Sequence, residues 1–248
     1  MELRLLQWNS RSVVTNKSSL ISILRQNKIH CCGIQETWLK SHYSFDIPNY
    51  TVYRNDRYDG YGGVMILIHN LINSTLINLN IDFNSHPNLR SLEIIAVEVI
   101  LDNKKLVILS CYVSPPNVID TEDWDYLFEI VISPVIYLGD FNAHHSSWGC
   151  TNISGSGRAL LNAVNKSDLL ILNDGRPTKI KKHNEQPTAI DLTFLSSSLW
   201  PLATWDIIED PNGSDHLPIL TEIQFNSGPK FFPRAGGSEP EKVFYGWK

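Results

Sequence analysis

Short apolar runs, each about one strand long, recur along the chain and are broken by few segments of helical period. The runs cover residues 3–8, 31–35, 50–54, 64–68, 92–100, 106–112, 135–138, 169–172, 190–195 and 217–223. They are rich in Ile, Leu and Val, and several are followed by Gly, Asn, Asp or Pro, which end strands. A helix is predicted over residues 16–26, where Leu20, Ile23 and Leu24 share one face and Thr15 or Asn16 can serve as cap. A second spans residues 157–167, with Leu160, Leu161 and Val164. A third, over residues 121–131, carries Trp124, Leu127, Phe128 and Val131 behind an acidic first turn that suits the helix dipole. The order is roughly one strand-and-helix unit used twice, without a short sequence repeat. An α/β fold with two mixed β-sheets packed face to face and helices outside would bury such a pattern.

After Phe225 the pattern stops. Residues 226–242 are rich in Gly, Pro, Ser and charge and read as a linker, so residues 1–225 form the expected domain and 226–248 a tail toward a further region. Hydrophobic residues make up 42% and charged residues 19% of the chain, which argues for a packed core and against wholesale disorder. The net charge of -5 is unlike that of a purely electrostatic DNA binder. An enzyme that gathers carboxylates around a divalent cation escapes that objection, because the ion inverts the local charge. No Lys or Arg lies between Lys105 and Arg158, and positive charge returns at Arg176, Lys179, Lys181 and Lys182. The four cysteines form no C-x-x-C pair, which fits reduced, mostly buried thiols in an intracellular protein. The first residues lack a signal-peptide pattern, and no apolar run approaches membrane-spanning length.

Polar residues that a core cannot explain stand at the strand ends: Asn9, Glu36, Tyr112, Asp140 with Asn142, Asp191, and Asp215 with His216. Taken singly, each has an ordinary reading as a solvated strand end, a turn residue or a core residue with a polar tip. Asp191 is less ordinary, because a carboxylate between Ile190 and Leu192 needs a partner. Asp140 and Asn142 occupy alternate positions and are expected on one side of an extended chain. Together these residues meet the needs of phosphodiester hydrolysis. Glu36 and Asp215 can hold a hard cation, and Asp140 can orient a water with Asn142 beside it. His216 can stabilise phosphoryl oxygens or move a proton, Asp191 can fix its tautomer, and Asn9 and Tyr112 add donors.

The ordered set Trp8-Asn9, Gln35-Glu36-Thr37, Tyr112, Gly139-Asp140-Phe141-Asn142, Ile190-Asp191 and Ser214-Asp215-His216-Leu217-Pro218 resembles the exonuclease–endonuclease–phosphatase superfamily. That family holds pancreatic deoxyribonuclease, apurinic endonucleases, sphingomyelinases and inositol polyphosphate phosphatases. The resemblance implies a four-layered α/β-sandwich with its active site at one edge of the two sheets. It also implies Mg²⁺, with Mn²⁺ able to substitute, and the eight residues above as the site. Gln35-Glu36-Thr37-Trp38-Leu39, Asn142-Ala143-His144-His145, Gly157-Arg158-Ala159-Leu160, Leu172-Asn173-Asp174-Gly175 and Ala189-Ile190-Asp191-Leu192-Thr193 are similar to endonuclease domains of non-LTR retrotransposons, of the jockey, I and related insect-type groups.

That narrower resemblance implies an endonuclease that nicks double-stranded DNA and leaves a 3′-hydroxyl to prime reverse transcription. It also implies a reverse transcriptase region in the same polyprotein and action in the nucleus. Where many apurinic endonucleases carry an acid two residues after the first Asn, this chain has Arg11. Arg11, Lys179, Lys181 and Lys182 are the candidate DNA contacts, the lysines on a hairpin expected between residues 173 and 191. Two alternatives remain: an apurinic-type repair enzyme or another phosphodiesterase of the superfamily, and a non-catalytic DNA-binding module. The latter would show a replaced Glu, Asp or His in the motifs, and none is replaced.

Overall fold

Residue parity decides the layers. The computed structural model describes residues 2–131, 134–180 and 186–225. In β1 (Glu2–Asn9), Leu3 and Leu5 pack on one side and Leu6 and Trp8 on the other, as the two-residue period of a strand requires. All four are buried, so β1 has a layer on each face. The first sheet contains β1, β2 (Cys31–Gln35), β3 (Tyr50–Asn55), β4 (Val64–His69), β11 (Ala203–Ile207) and β12 (Ile219–Gln224) in the order β11-β12-β1-β2-β4-β3. The second contains β5 (Asn73–Ile77), β6 (Leu92–Leu101), β7 (Lys104–Val113), β8 (Val135–Asp140), β9 (Leu169–Ile171) and β10 (Asp191–Ser196) in the order β5-β6-β7-β8-β10-β9. Both sheets are mixed: β1 pairs parallel with β2 and β7 parallel with β8, and the remaining pairs are antiparallel.

Between the sheets Leu5, Cys31 and Ile66 meet Val97, Ile108 and Leu138. Outside the first sheet, α1 (Lys17–Gln26) lays Leu20, Ile23 and Leu24 on Leu6, Trp8 and Ile34. Outside the second, α2 (Thr121–Ile130) and α3 (Gly155–Lys166) lay Trp124, Leu127, Leu160 and Val164 on Leu109, Tyr137 and Phe194. The chain is thus the expected α/β-sandwich of helix, sheet, sheet and helix. Each fully buried aliphatic side chain contributes roughly 1.5–3 kcal/mol. A one-residue slip of β1 would exchange its two faces, so register is firmly specified.

Some local expectations are corrected. Strands β5 and β11 carry no apolar run that would announce them; both are half-exposed edge strands, which need only one neighbour. Asn16 stands at the cap position of α1 without capping it, because its amide donates to the Ser10 carbonyl at 2.8 Å. The acidic stretch around α2 belongs to the fold. Asp120 caps the helix through the Asp123 amide, Asp123 bonds His86 at 2.8 Å, and Asp125 pairs with Lys166 at 2.6 Å. All four cysteines are buried and free. Among the described residues no helix is long and apolar enough to cross a membrane. The tail from residue 226 onward lies outside the described residues, as do Lys181 and Lys182.

Candidate active site

The strand residues that face the opposite sheet turn polar at one edge of the sandwich. In β1, Gln7 and Asn9 continue the parity of Leu3 and Leu5; in β2, Gln35 continues that of Cys31 and Gly33. In the second sheet Tyr112 follows Ile108 and Ser110, Asp140 follows Ile136 and Leu138, and Asp191 precedes Thr193 and Leu195. Register brings the ends level: Asn9 lies beside Gln35, and Asp140 beside both Tyr112 and Asp191. Beneath them polar struts cross the gap. Gln7 donates to the Gly139 carbonyl at 2.8 Å and accepts from Thr193 at 3.2 Å, and Gln35 donates to Ser110 at 2.9 Å. Gln7 has both side-chain polar atoms engaged, and buried polar groups satisfied in this way rigidify a site.

Asn9 is the hub. Its Nδ2 donates to Glu36 Oε1 at 2.8 Å and to Asp140 Oδ2 at 2.9 Å, so one amide joins carboxylates from the two sheets. His216 is held at Nδ1 by Asp191, at 2.8–2.9 Å, while its Nε2 lies 3.9 Å from Asp140 Oδ2 and 3.8 Å from Asp215 Oδ1. Thr178 donates to the same Asp191 carboxylate at 2.6 Å. The backbone before the last strand is fastened by Ser214, which donates to the Asn9 carbonyl at 2.7 Å, and by the Trp8 indole, which donates to the His216 carbonyl at 3.2 Å.

Electrostatics follow from this crowding. Burial, and then the Asp191 charge, push the Asp140 carboxyl up to about 7. Burial alone would lower the His216 imidazole, but Asp191 and Asp140 outweigh it and raise it to about 9. Burial, with Glu36 and Asp140 nearby, keeps Tyr112 a neutral phenol. Lys179 acts on Asp140, His216 and His144, which places its charge beside the site. A cleft of about 220 Å³ opens here, lined by Arg11, Glu36, Trp38, Tyr112, Pro115, Asn142, Lys179, Asp215 and His216. A cleft of similar size, about 260 Å³, lies at the opposite edge, and no carboxylate lines it.

Ligand atoms of Glu36, Asp140 and His216 lie within 4.8 Å of one another. Two carboxylates that share one amide suit a hard divalent cation. The imidazole falls inside the same radius, with Nδ1 held by Asp191; a hard cation prefers the oxygen donors, so the carboxylates fit it best.

The structure brings together Asn9, Arg11, Glu36, Tyr112, Asp140, Asn142, Lys179, Asp191, Asp215 and His216. Asp140 and Asn142 do not share an extended strand. Asn142 adopts φ +45, its backbone N–H donates to Asp140 Oδ1 at 3.0 Å, and its amide donates to the Val113 carbonyl at 2.8 Å. The side chain therefore reaches the cleft from a turn, where asparagine tolerates a left-handed backbone. Asp215 faces the cleft too, but Arg11 approaches its Oδ2 at 3.3 Å. Lys179 bridges Thr188 on one side and His216 on the other. Sequence reading gave no role to Gln7, Thr178 or Ser214. Polar residues at inward strand positions are the signal for the first, Ser214 opens the Ser214-Asp215-His216 motif, and nothing local marks Thr178.

A polar cluster at the shared edge of two packed sheets defines the class: the chain has the sandwich fold of the apurinic endonucleases and related 3′ phosphatases and exonucleases. The Leishmania major AP endonuclease LMAP matches with a TM-score of 0.71 at 12% identity, over 90% of this chain and 88% of that one. The same fold is found in a non-LTR retrotransposon endonuclease domain, the type that the motifs resemble. The endonuclease domain of TRAS1, a telomere-specific non-LTR retrotransposon, matches with a TM-score of 0.75 at 21% identity, over 92% of this chain and all of that one. Residues 106–220 match the family model described as endonuclease-reverse transcriptase. The probable RNA-directed DNA polymerase from transposon BS of Drosophila melanogaster is 24% identical over 236 residues, 91% of this chain. The chain spans about a quarter (24%) of that relative's length.

Proposed function

We propose that this domain is a divalent-cation-dependent endonuclease that nicks double-stranded DNA and leaves a 3′-hydroxyl for target-primed reverse transcription in the nucleus. The observation that carries the reading is the Asn9 amide joining Glu36 and Asp140 within reach of the His216–Asp191 pair. Mg²⁺ is the cation proposed, held by Glu36 and Asp140 with Asp215 at the margin. When bound it supplies Lewis-acid polarisation of the phosphoryl group.

Asp140, its Oδ2 held by the Asn9 amide, orients the attacking water. His216, protonated and turned by Asp191, donates through Nε2 to the phosphoryl oxygens. Tyr112 stays a phenol and adds a second donor. Attack is in line, in one step, without a covalent enzyme intermediate.

The test is a supercoiled-plasmid assay with Mg²⁺, then with EDTA, and then with Glu36→Gln. Nicking is expected with Mg²⁺ alone and is expected to fall on the order of 10³-fold in the variant. Undiminished nicking in EDTA would remove the cation from the reading. Cleavage confined to abasic duplex would favour the repair-type alternative, and duplex binding without cleavage would favour the non-catalytic one.

A further inference from the structure

Glu36 sits in a backbone conformation that its own sequence does not favour. Its φ is +48, and Trp38 two residues later has φ +54. Left-handed backbone at residues other than glycine persists only where surrounding structure over-determines it. On one side the clamp is visible, because the Glu36 carbonyl accepts the Ser12 N–H at 2.9 Å. On the other, the Thr37 N–H donates to the Gly63 carbonyl at 3.2 Å and the Trp38 N–H to the Gly62 carbonyl at 2.9 Å. The Glu36 segment therefore leans on the turn before β4.

That turn is itself held. The Gly63 N–H donates to Glu93 Oε2 in a short hydrogen bond. Glu93 Oε1 accepts from Arg57 at 3.2 Å, and the same guanidinium is gripped twice by Asp59 at 2.9 Å and reaches Ser114 at 3.4 Å. Gly62 and Gly63 have φ +140 and +86. A Cβ at Gly62 would stand 2.8 Å from a Glu93 carboxylate oxygen, and one at Gly63 would meet the Thr37 hydroxyl. The turn thus fits the Glu93 carboxylate on one side and the Glu36 segment on the other with no space between. Glu93 also lies directly across the ladder from Tyr112, which lines the cleft.

We infer that Glu93 is a positioning residue. Through the Gly62 and Gly63 turn it sets where the Glu36 carboxylate stands, and so tunes cation affinity without touching cation or DNA. The inference rests on the cation-dependent cleavage proposed above. Residues that orient metal-binding carboxylates from behind typically change metal affinity or activity by about 10–100-fold when lost.

The experiment uses the full 248-residue chain and Mn²⁺ as the probe, titrated by water-proton relaxation and, in parallel, by plasmid nicking. Glu93→Ala is expected to weaken Mn²⁺ binding by about 10–100-fold and to lower kcat by a similar factor, with KM for plasmid nearly unchanged. Glu93→Gln keeps an acceptor for the Gly63 N–H and is expected to recover most of the loss, which general destabilisation would not produce. Glu98→Ala, on the same strand but paired outward with Lys105 at 3.0 Å, is expected to match the wild type. If Glu93→Ala misfolds by circular dichroism, Arg57→Gln tests the same clamp one step back and is expected to lose a smaller part of the affinity. Wild-type nicking with unaltered Mn²⁺ affinity in a folded Glu93→Ala or Arg57→Gln chain would overturn the role of Glu93. A wild-type chain that neither binds Mn²⁺ nor nicks would instead overturn the functional reading beneath it.

Discussion

The imidazole of His216 is useful because one of its nitrogens is already spoken for. Asp191 takes Nδ1, so Nε2 is the atom that faces the cleft, and the charge of Asp191 outweighs the burial that would otherwise strip the ring of its proton. An amide at position 191 keeps the shape and removes the charge. Asp191→Asn is therefore expected to cut the nicking rate by about 10²–10⁴-fold, the usual worth of a positioned acid or base, with DNA binding retained in a gel-shift assay. A variant that nicks like the wild type would leave the pair a structural one. Arg11 matters at the same scale. Its guanidinium approaches Asp215 at 3.3 Å and lies over the Trp38 ring at 5.9 Å, so it brings positive charge to one wall of an acidic cleft.

Among elements, α3 shows how a helix serves the cleft. Alanine in place of a helical glycine ordinarily stabilises by about 1 kcal/mol. At Gly157 a Cβ would strike the backbone of His144, whose own N–H is bonded to Ser154 at 3.1 Å. Gly157→Ala is expected to destabilise the fold by roughly 1–3 kcal/mol, read as a lower urea midpoint, and a raised midpoint would contradict the packing. The junction of α1 and β2 carries a pH response. The Arg4 N–H donates to His30 Nδ1 at 3.0 Å, which requires a neutral ring. Burial, then His69, lower the His30 pKa below its usual 6.5. A depressed folded-state pKa means the contribution is complete above pH 6.5 and is lost as pH falls through the lower folded value. Between pH 7.5 and pH 5 the urea midpoint should fall more in the wild type than in His30→Asn, since that side chain accepts the same N–H without titrating. Parallel pH profiles would dismiss the idea.

For the whole molecule the question is how a chain of net charge -5 would hold the duplex proposed as its substrate. Local positive potential must do it. Lys179 lines the cleft, and its backbone bridges Thr188 on one side and His216 on the other. Phosphate contacts by Lys179, Lys181 and Lys182 are proposed to position the duplex. Their joint replacement by alanine should weaken binding and flatten its salt dependence by up to about three units of slope, at roughly 0.9 for each phosphate no longer neutralised. Superimposable salt slopes for the variant and the wild type would move the duplex-binding surface elsewhere.

Much of this protein is written in residue order. Continuous apolar runs of strand length, in a strand-and-helix order used roughly twice, implied the sandwich, because strands with apolar residues on both faces must be covered twice. The candidate site residues were legible as polar groups at strand ends, but singly only Asp191 stood out; Asn9, Glu36, Tyr112, Asp140, Asp215 and His216 gained their reading from the ordered set of motifs. What tertiary structure alone decided is which polar ends meet. Asn9 reaches Asp140 across 131 residues because two sheets stack in one register, and Trp8 reaches His216 across 208 because β12 pairs with β1 in the same sheet. No local signal encodes that register, since it is set by the summed burial of both inner faces. The edge strands β5 and β11, the turn that carries Asn142, and the Glu93 brace behind Glu36 were hidden likewise. Each depends on a neighbour far along the chain, and its own sequence is that of an ordinary loop or surface strand.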